Sequence, residues 1–198
     1  PGRWTVHIVL GAPGEIDDEL LGWVRGQDIP AMLGAMHAVQ VDAGDGVFVP
    51  AGLPHAIGEG VFLLEVQQPE DLSILLQWDG FELDGEADGH LGLTFPLAVT
   101  AVDTSSWSRK RIESLVTRGV ASGPVLPEAS APFFRVDRLR AGGAGREATI
   151  EAGFGVVVVT AGQGTLRWAA DPKAEREVRS GMTLLVPAAA GELVLSGE

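Results

Sequence analysis

The chain has 198 residues with 14 basic and 27 acidic side chains, which give a formal net charge of −13. A chain this acidic is repelled by nucleic acid and by anionic membranes, and no apolar run approaches the ~18 residues of a membrane-spanning helix, so neither partner is predicted. It contains no cysteine, which excludes disulfides and thiolate metal ligands and is typical of a cytoplasmic protein.

The first part of the chain combines alternating strand patterns with a short helical stretch. Residues 4–10 place Trp4, Val6, Ile8 and Leu10 on one face, which predicts a half-buried strand. A turn at residues 11–14 is followed by helical signals over 17–26 and 29–36, the second with Pro30 in its first turn. A return strand is predicted to begin at residue 39.

Further strands are predicted on both sides of an acidic, glycine-rich loop at residues 80–92. Residues 47–49, 61–67 and 72–78 precede this loop, and residues 97–102 follow it. Residues 105–118 carry apolar positions at Trp107, Ile112 and Leu115, which predict one linking helix.

The last third of the chain predicts a second β unit. Six candidate strands, spaced as in a sandwich or barrel, lie at 133–139, 149–150, 156–160, 165–168, 182–186 and 192–195. Residues 181–187 also repeat the pattern of residues 44–50 at an offset of 137. Counting five residues beyond the proline of each copy leads to His55 in the first copy and Glu192 in the second, so the second copy lacks the histidine.

The motif that carries chemistry is Gly-Asp-Gly-Val-Phe-Val-Pro-Ala-Gly-Leu-Pro-His-Ala over residues 44–56. The apolar strand within it ends at Pro50, because proline cannot donate to a sheet ladder. A second tight turn then delivers His55 to the start of the next strand. An imidazole held by two rigid turns is a candidate metal ligand, and the alternative is a turn histidine satisfied by the backbone. His7, on a nearby strand, is a lesser candidate ligand.

The motif resembles the second metal-ligand motif of the cupins. Together with Ile-Gly-Glu-Gly at 57–60 and Leu-Glu-Val-Gln-Gln at 64–68, it resembles type I mannose-6-phosphate isomerase, over residues 2–79. The resemblance implies an all-β, jelly-roll bicupin, with two β-barrels and a small helical insertion in the first.

The resemblance also implies a division of the chain. Residues 1–102 would form a catalytic-type cupin lobe with the helical insertion at 17–37, residues 103–132 a linker with a helix, and residues 133–198 a second, degenerate lobe without metal ligands. The chain begins at Pro1 directly before a predicted strand, so we expect a longer protein whose opening strands precede it. The resemblance places further metal ligands, a Gln-x-His and a Glu, upstream of Pro1.

The function that the resemblance implies is zinc-dependent isomerisation of a hexose phosphate, mannose 6-phosphate to fructose 6-phosphate. It implies one Zn²⁺ in the first lobe with His55 as a ligand, and a sugar phosphate as the small-molecule partner. Glu65 matches the family's acidic residue for proton transfer, and burial among apolar neighbours makes a carboxylate a better base. Gln67, on the same face of the predicted strand, is a candidate to bind a sugar hydroxyl.

One position departs from the family's pattern. Type I isomerases follow the Glu-x-Gln-Gln stretch with a Ser-Asp-x-x-x-Arg segment, and here Leu75 stands in place of the arginine. Leucine can neither stabilise an enediolate nor bind phosphate. Two other classes of function therefore stay open: a non-catalytic sugar-binding or regulatory bicupin, and another metal-dependent cupin enzyme.

Overall fold

The computed structural model describes residues 4–10, 16–68, 72–142 and 145–197. Contacts divide the chain into two compact units. The first comprises Pro1–Val120 together with Pro124–Asp137, and the second comprises Ala121–Gly123 together with Arg138–Glu198. Residues 103–132, which the sequence assigns to a linker, contribute all but three of their positions to the first unit.

Most elements in the first two thirds of the chain are short. The strands are β1 (Trp4–Leu10), β2 (Met36–Val41), β3 (Gly46–Val47), β4 (His55–Ile57), β5 (Val116–Thr117), β6 (Gly123–Pro124) and β7 (Asp137–Arg138). The α-helices are α1 (Ile16–Gly26), α2 (Ile29–Gly34), α3 (Gly85–Asp88), α4 (Phe95–Ala98) and α5 (Arg109–Glu113), with 3₁₀ turns at Val99–Ala101 and Glu128–Ser130. No helix in the described ranges is long and apolar enough to cross a bilayer.

The main sheet of the first unit is antiparallel, with the strand order β2-β1-β4. The predicted alternation of β1 is confirmed, because Val6 and Ile8 are both buried. Val39 lies opposite Val6 in the register and is buried on the same side of the sheet. This side contributes to an apolar core with Phe48, Leu53, Trp107, Ile112 and Leu115.

The helical insertion predicted at 17–37 is present as α1 and α2. Leu20 and Val24, one turn apart on α1, are buried in a second apolar cluster with Met32, Phe95 and Val99. Helix α2 is capped by Asp28, whose carboxylate accepts a hydrogen bond from the Ala31 amide at 3.0 Å.

Three predicted strands are wrong. Residues 61–67 and 72–78 have no regular secondary structure, and residues 97–102 form the end of α4 and a 3₁₀ turn. An alternating pattern becomes a strand only when a neighbouring strand supplies a hydrogen-bonding ladder, and no described strand pairs with these segments. The predicted helix at 105–118 is also shortened to α5, because Val116 and Thr117 pair with β3 instead.

The Gln27 side chain makes four of the hydrogen bonds around the segment predicted as a strand at 72–78. The Gln27 carbonyl oxygen accepts hydrogen bonds from the backbone amides of Trp78 (2.7 Å) and Asp79 (2.8 Å). Its amide nitrogen donates to the carbonyl oxygens of Val24 (2.6 Å) and Leu76 (3.1 Å). Gln27 therefore joins the end of α1 to a segment about fifty residues later in the sequence.

Replacing Gln27 by alanine is expected to lower the free energy of unfolding by about 2 kcal/mol, because two backbone amides lose their acceptor. Urea denaturation measures the change. Gln68→Ala is the matched control, since Gln68 is exposed and its removal should shift the midpoint only slightly. Equal midpoints for the two variants would show that the Gln27 contacts contribute little.

The second unit contains β8 (Ala148–Ile150), β9 (Gly155–Val158), β10 (Gln163–Trp168), β11 (Asp171–Arg179), β12 (Thr183–Val186) and β13 (Leu193–Gly197), with a 3₁₀ turn at Ala188–Ala190. Four strands form an antiparallel sheet in the order β11-β10-β13-β8, and β12 pairs with β9. Leu166, Val178 and Leu193 of the larger sheet pack around one apolar core with Val186 of β12. β11 is not predicted by the sequence, because seven of its nine residues are polar or proline.

The prediction of a mainly-β fold is confirmed, but the predicted pair of closed barrels is not observed. Closure requires every strand to pair on both sides. Among the described strands, β2 and β4 end the sheet of the first unit, and β11 and β8 end the larger sheet of the second.

The repeat at an offset of 137 residues has a structural counterpart in the turn before each copy. In the first copy the Asp45 amide donates to the Asp42 carbonyl oxygen at 3.1 Å, and in the second the Met182 amide donates to the Arg179 carbonyl oxygen at 3.0 Å. The glycines at equivalent positions, Gly44 and Gly181, both have positive φ, 98° and 85°. The two copies thus share a backbone turn as well as a sequence pattern.

Candidate functional site

The segment that presents His55 starts at a turn fixed by a buried carboxylate. The Asp45 side chain is 4% exposed. It accepts hydrogen bonds from the backbone amides of Asp42 (3.0 Å) and Gly119 (2.9 Å) and from the guanidinium of Arg118 (2.8 Å). The carboxylate therefore closes its own turn and joins it to the end of β5.

Asp45 remains ionised because its partners outweigh its burial. Burial raises the pKa of the Asp45 carboxyl, but hydrogen bonds from Asp42 and Gly119 and the hydrogen bond and charge of Arg118 lower that pKa below its ordinary value. The hydrogen bond to Asp45 in turn raises the pKa of the Arg118 guanidinium. Arg118 also donates to the Gln40 carbonyl oxygen at the end of β2, so one cation connects two neighbouring elements.

Residues 101–119 hold the whole segment between Asp45 and His55. Strand β3 pairs with β5, and the Phe48 amide donates to the Leu115 carbonyl oxygen at 2.9 Å. The Gly52 carbonyl oxygen accepts from the Asp103 amide at 2.7 Å. Gly52 has a φ of +78°, and a β-carbon there would lie 2.8 Å from the Ala101 carbonyl oxygen, so this turn requires glycine.

His55 follows this turn at the first residue of β4, as predicted. Its Nδ1 lies 3.1 Å from the carbonyl oxygen of Leu53, a residue buried in the core. Because a carbonyl oxygen can only accept, this contact requires the proton to be on Nδ1 and leaves the lone pair on Nε2. A backbone carbonyl that binds Nδ1–H is the arrangement that orients metal-binding imidazoles.

The register of the sheet decides which other histidines share the side of His55. His55 and His37 both lie opposite Ile8, one on each side of it, so all three side chains project from the same side of the sheet. Ile8 is buried there, whereas His55 is exposed. His7 is one residue before Ile8 and projects from the opposite side, which removes it as a partner for His55. The sequence does not suggest this position for His37, because it predicts that residues 17–37 form a helical insertion.

The structure does not bring the other two predicted site residues to His55. Glu65 and Gln67 are exposed and lie in the irregular segment after β4, and no described hydrogen bond or ion pair connects either to His55. The apolar burial on which the prediction for Glu65 depends is absent. Leu75 is 40% exposed, and its backbone amide donates to the Gly89 carbonyl oxygen at 2.8 Å.

The residues present do not form a complete metal centre. Among the described residues there is no group of three or more His, Asp or Glu side chains that could hold one ion. A catalytic zinc ion takes about three protein ligands and a structural one four. His55 and His37 lie opposite the same residue of β1, and two side chains are fewer than either kind of site requires.

The second unit offers even less to a metal. Glu192, which stands at the position of His55 in the repeat, is exposed. The residues that pack in the core of this unit are apolar. The repeated turn uses the Met182 sulfur, at 3.3 Å from the Arg179 amide, where the first copy uses the Asp45 carboxylate.

Comparison with known proteins gives a match in structure only. No family model matches the sequence, and no curated protein matches it. A protein assigned as a mannosephosphate isomerase from Archaeoglobus fulgidus has a similar structure, with a TM-score of 0.63 and 16% identity, over 100% of this chain and 55% of that one.

Phosphomannose isomerase from Salmonella typhimurium is similar as well. A single-residue variant of it gives a TM-score of 0.61 at 12% identity, over 98% of this chain and 61% of that one. The same enzyme bound to its substrate, fructose 6-phosphate, and zinc gives 0.55 at 12% identity, with the same coverage. The chain thus spans between 55% and 61% of the length of these proteins, and over that length it has their fold.

Proposed function

We propose that the chain is the larger part of a bicupin aldose–ketose isomerase of the mannose-6-phosphate isomerase type. The observation that carries the proposal is His55, which a rigid turn delivers to β4 with Nδ1 bound to a backbone carbonyl and Nε2 free. The structural similarity to phosphomannose isomerases, one of them bound to zinc and fructose 6-phosphate, supports the same function.

The described residues alone do not fit the zinc ion that this function implies. Metal affinity depends on several deprotonated ligands held together. Among the described residues of the β2-β1-β4 sheet, His37 and His55 are the two side chains on that side that could bind a metal. The proposal therefore requires further ligands from polypeptide outside the 198 residues. We assign no catalytic step to the metal on the residues present.

In this proposal Glu65 and Gln67 act on the sugar. In an aldose–ketose isomerisation a carboxylate takes a proton from C2 of the open-chain sugar, which leaves an enediolate, and returns it to C1. The hydroxyl proton passes from O2 to O1, so that the carbonyl group moves from C1 to C2. We assign this proton transfer to Glu65 and a hydrogen bond to a sugar hydroxyl to Gln67. Both are exposed, so the roles require residues 61–68 to fold over the substrate.

The 198-residue chain is expected to retain less than one equivalent of zinc after dialysis and to show no isomerase activity, because its ligand set is incomplete. A chain extended upstream is expected to gain both properties. In that extended chain His55→Ala should abolish zinc binding, whereas Glu65→Gln should preserve it and slow turnover by about 100-fold or more. Metal analysis and a coupled assay for fructose 6-phosphate give the two readouts.

His7→Ala is the matched control, since His7 projects from the other side of the sheet and should leave zinc binding unchanged. Stoichiometric zinc in the 198-residue chain would contradict the claim that this chain lacks enough metal ligands. An extended chain that binds zinc but isomerises nothing would refute the isomerase.

A second candidate is a bicupin that binds a sugar and does not react with it. It is favoured by Leu75, which stands where type I isomerases have arginine and leaves no cation there for a phosphate or an enediolate. Such a protein would protect residues near His55 from hydrogen exchange in the presence of a neutral hexose, with no conversion of the sugar.

A further inference from the structure

The turn that delivers His55 is bound by a residue from a later part of the chain, Asp103. The Asp103 backbone amide donates to the Gly52 carbonyl oxygen at 2.7 Å. One residue further on, the Leu53 carbonyl oxygen accepts a hydrogen bond from Nδ1 of His55 at 3.1 Å. The Leu53 amide closes the turn at residues 50–53, because it donates to the carbonyl oxygen of the first residue at 3.1 Å. The direction of the imidazole therefore depends on where Asp103 holds this turn.

The side chain of Asp103 fixes the backbone of its own segment. One carboxylate oxygen accepts hydrogen bonds from the backbone amide of Ser105, at 2.9 Å, and from the Ser105 hydroxyl, which is the arrangement of an Asx turn. The other oxygen accepts from the Trp107 indole N–H at 3.1 Å. The hydrogen bonds from Ser105, with a smaller contribution from Trp107, hold the pKa of the Asp103 carboxyl below its ordinary value. At neutral pH the group is therefore an acceptor only.

Trp107 links this segment to the core beneath the turn. Trp107 and Leu53 are 7% and 4% exposed and belong to the same apolar core. The guanidinium carbon of Arg111 lies 3.3 Å from the centre of the Trp107 ring, a cation–π contact that favours one orientation of the indole. A buried indole N–H requires an acceptor, which the Asp103 carboxylate supplies. Asp103 thus has a fixed partner in the core and, through its amide, a partner in the turn.

We propose that Asp103 is a positioning residue for His55. Its carboxylate holds residues 103–107 in one conformation, and its amide then fixes the Gly52 carbonyl. The Leu53 carbonyl that follows selects the Nδ1–H tautomer of His55 and aims the Nε2 lone pair away from the turn. The use of that lone pair in catalysis rests on the proposed function, whereas the tautomer of the imidazole can be measured without it.

Nuclear magnetic resonance tests the proposal without an activity assay. The two ring nitrogens of a neutral imidazole have different ¹⁵N chemical shifts in its two tautomers. Spectra of the ¹⁵N-histidine-labelled chain are recorded at about pH 8.5, where an ordinary imidazole is neutral, and His55→Gln assigns the signals. The natural chain should show mainly the Nδ1–H form at His55. Asp103→Ala should lower the ratio of Nδ1–H to Nε2–H there by about fivefold, as expected when one neutral hydrogen bond is lost.

Two further variants separate positioning from general stability. Asp103→Asn keeps one acceptor oxygen but replaces the other by an amide nitrogen that cannot accept from Trp107, so it should lower the His55 ratio by a smaller factor. Ser108→Ala is the matched control. The Ser108 hydroxyl caps α5 in the same segment by accepting from the Arg111 amide at 3.3 Å. Its loss weakens the start of that helix without removing a contact of the turn, so the His55 ratio should stay unchanged.

Three outcomes would overturn the proposal. A His55 ratio that is the same in Asp103→Ala as in the natural chain would show that the turn is held without the carboxylate. An equal fall in Ser108→Ala, or parallel changes at the other histidines, would assign the effect to a general loss of stability; these histidines are His7, His37 and His90. A mainly Nε2–H form in the natural chain would contradict the contact with Leu53. None of these outcomes depends on isomerase activity, so the proposed function can fail while this inference stands.

Discussion

Replacing Gly46 by alanine is expected to lower the free energy of unfolding by about 3 kcal/mol or more, the largest effect of any single methyl group at the candidate site. A β-carbon at this position would lie 1.7 Å from the carbonyl oxygen of Val125 and 2.9 Å from its carbonyl carbon. Both atoms belong to the backbone and cannot rotate away, so β3 or the segment that contains Val125 must move. Urea denaturation followed by circular dichroism measures the loss.

Gly22→Ala is the matched control for Gly46→Ala. Gly22 lies within α1, and a β-carbon there meets no atom within 4 Å. Alanine is the better helix former by about 1 kcal/mol, so this variant should be slightly more stable than the natural chain. Equal stability of the two variants would mean that β3 tolerates displacement, and the position of His55 would then not depend on a rigid approach.

Replacing Asp45 by asparagine is expected to destabilise the protein by about 2–3 kcal/mol at pH 7 and by less at low pH. The folded-state pKa of Asp45 lies below its ordinary value. The stabilisation from its ionised form is therefore complete above the unfolded pKa of about 4 and is lost as pH falls through the folded pKa. The difference between variant and natural chain should shrink as the pH falls below about 4 (measured by urea denaturation at several pH values).

Asp42→Asn serves as the control for Asp45→Asn, because the Asp42 side chain in the same turn is exposed. It should change stability by only a few tenths of a kcal/mol at any pH. A loss for Asp45→Asn that stays constant from pH 7 to pH 3 would contradict the role of its charge. Such a result would assign the effect to packing.

Sequence patterns correctly predicted the secondary-structure elements that depend on interactions between residues close together in the sequence. The alternation in residues 4–10 and the proline in the first turn of the second predicted helix correspond to β1 and α2 as observed. The strands predicted at 61–67 and 72–78 are absent because their pattern requires a partner strand, which periodicity does not reveal. Conversely, β11 lies at the edge of its sheet and most of its side chains are exposed, which permits a polar sequence. Only the pairing with β10 identifies it as a strand.

For the candidate site, too, the sequence predicted the local features and not the contacts between residues far apart in the sequence. The motif placed His55 at the start of a strand after a tight turn, and the structure has it there. The support from Arg118 and Gly119, more than seventy residues away from Asp45 in the sequence, could not be read from a motif. The register that sets His37 and His55 on either side of Ile8 also arises only when three strands assemble.

The absence of Lys and Arg from residues 26–108 has a practical consequence for studies of residues 62–68, which are exposed. Trypsin cleaves after Lys or Arg, so it releases this entire region as one peptide of 84 residues, from Gly26 to Arg109. Resistance to trypsin therefore says nothing about whether Phe62 and its neighbours are covered. A protease that cleaves after glutamate can cut at Glu59 and Glu65, and its rate reports directly on the accessibility of that part of the chain.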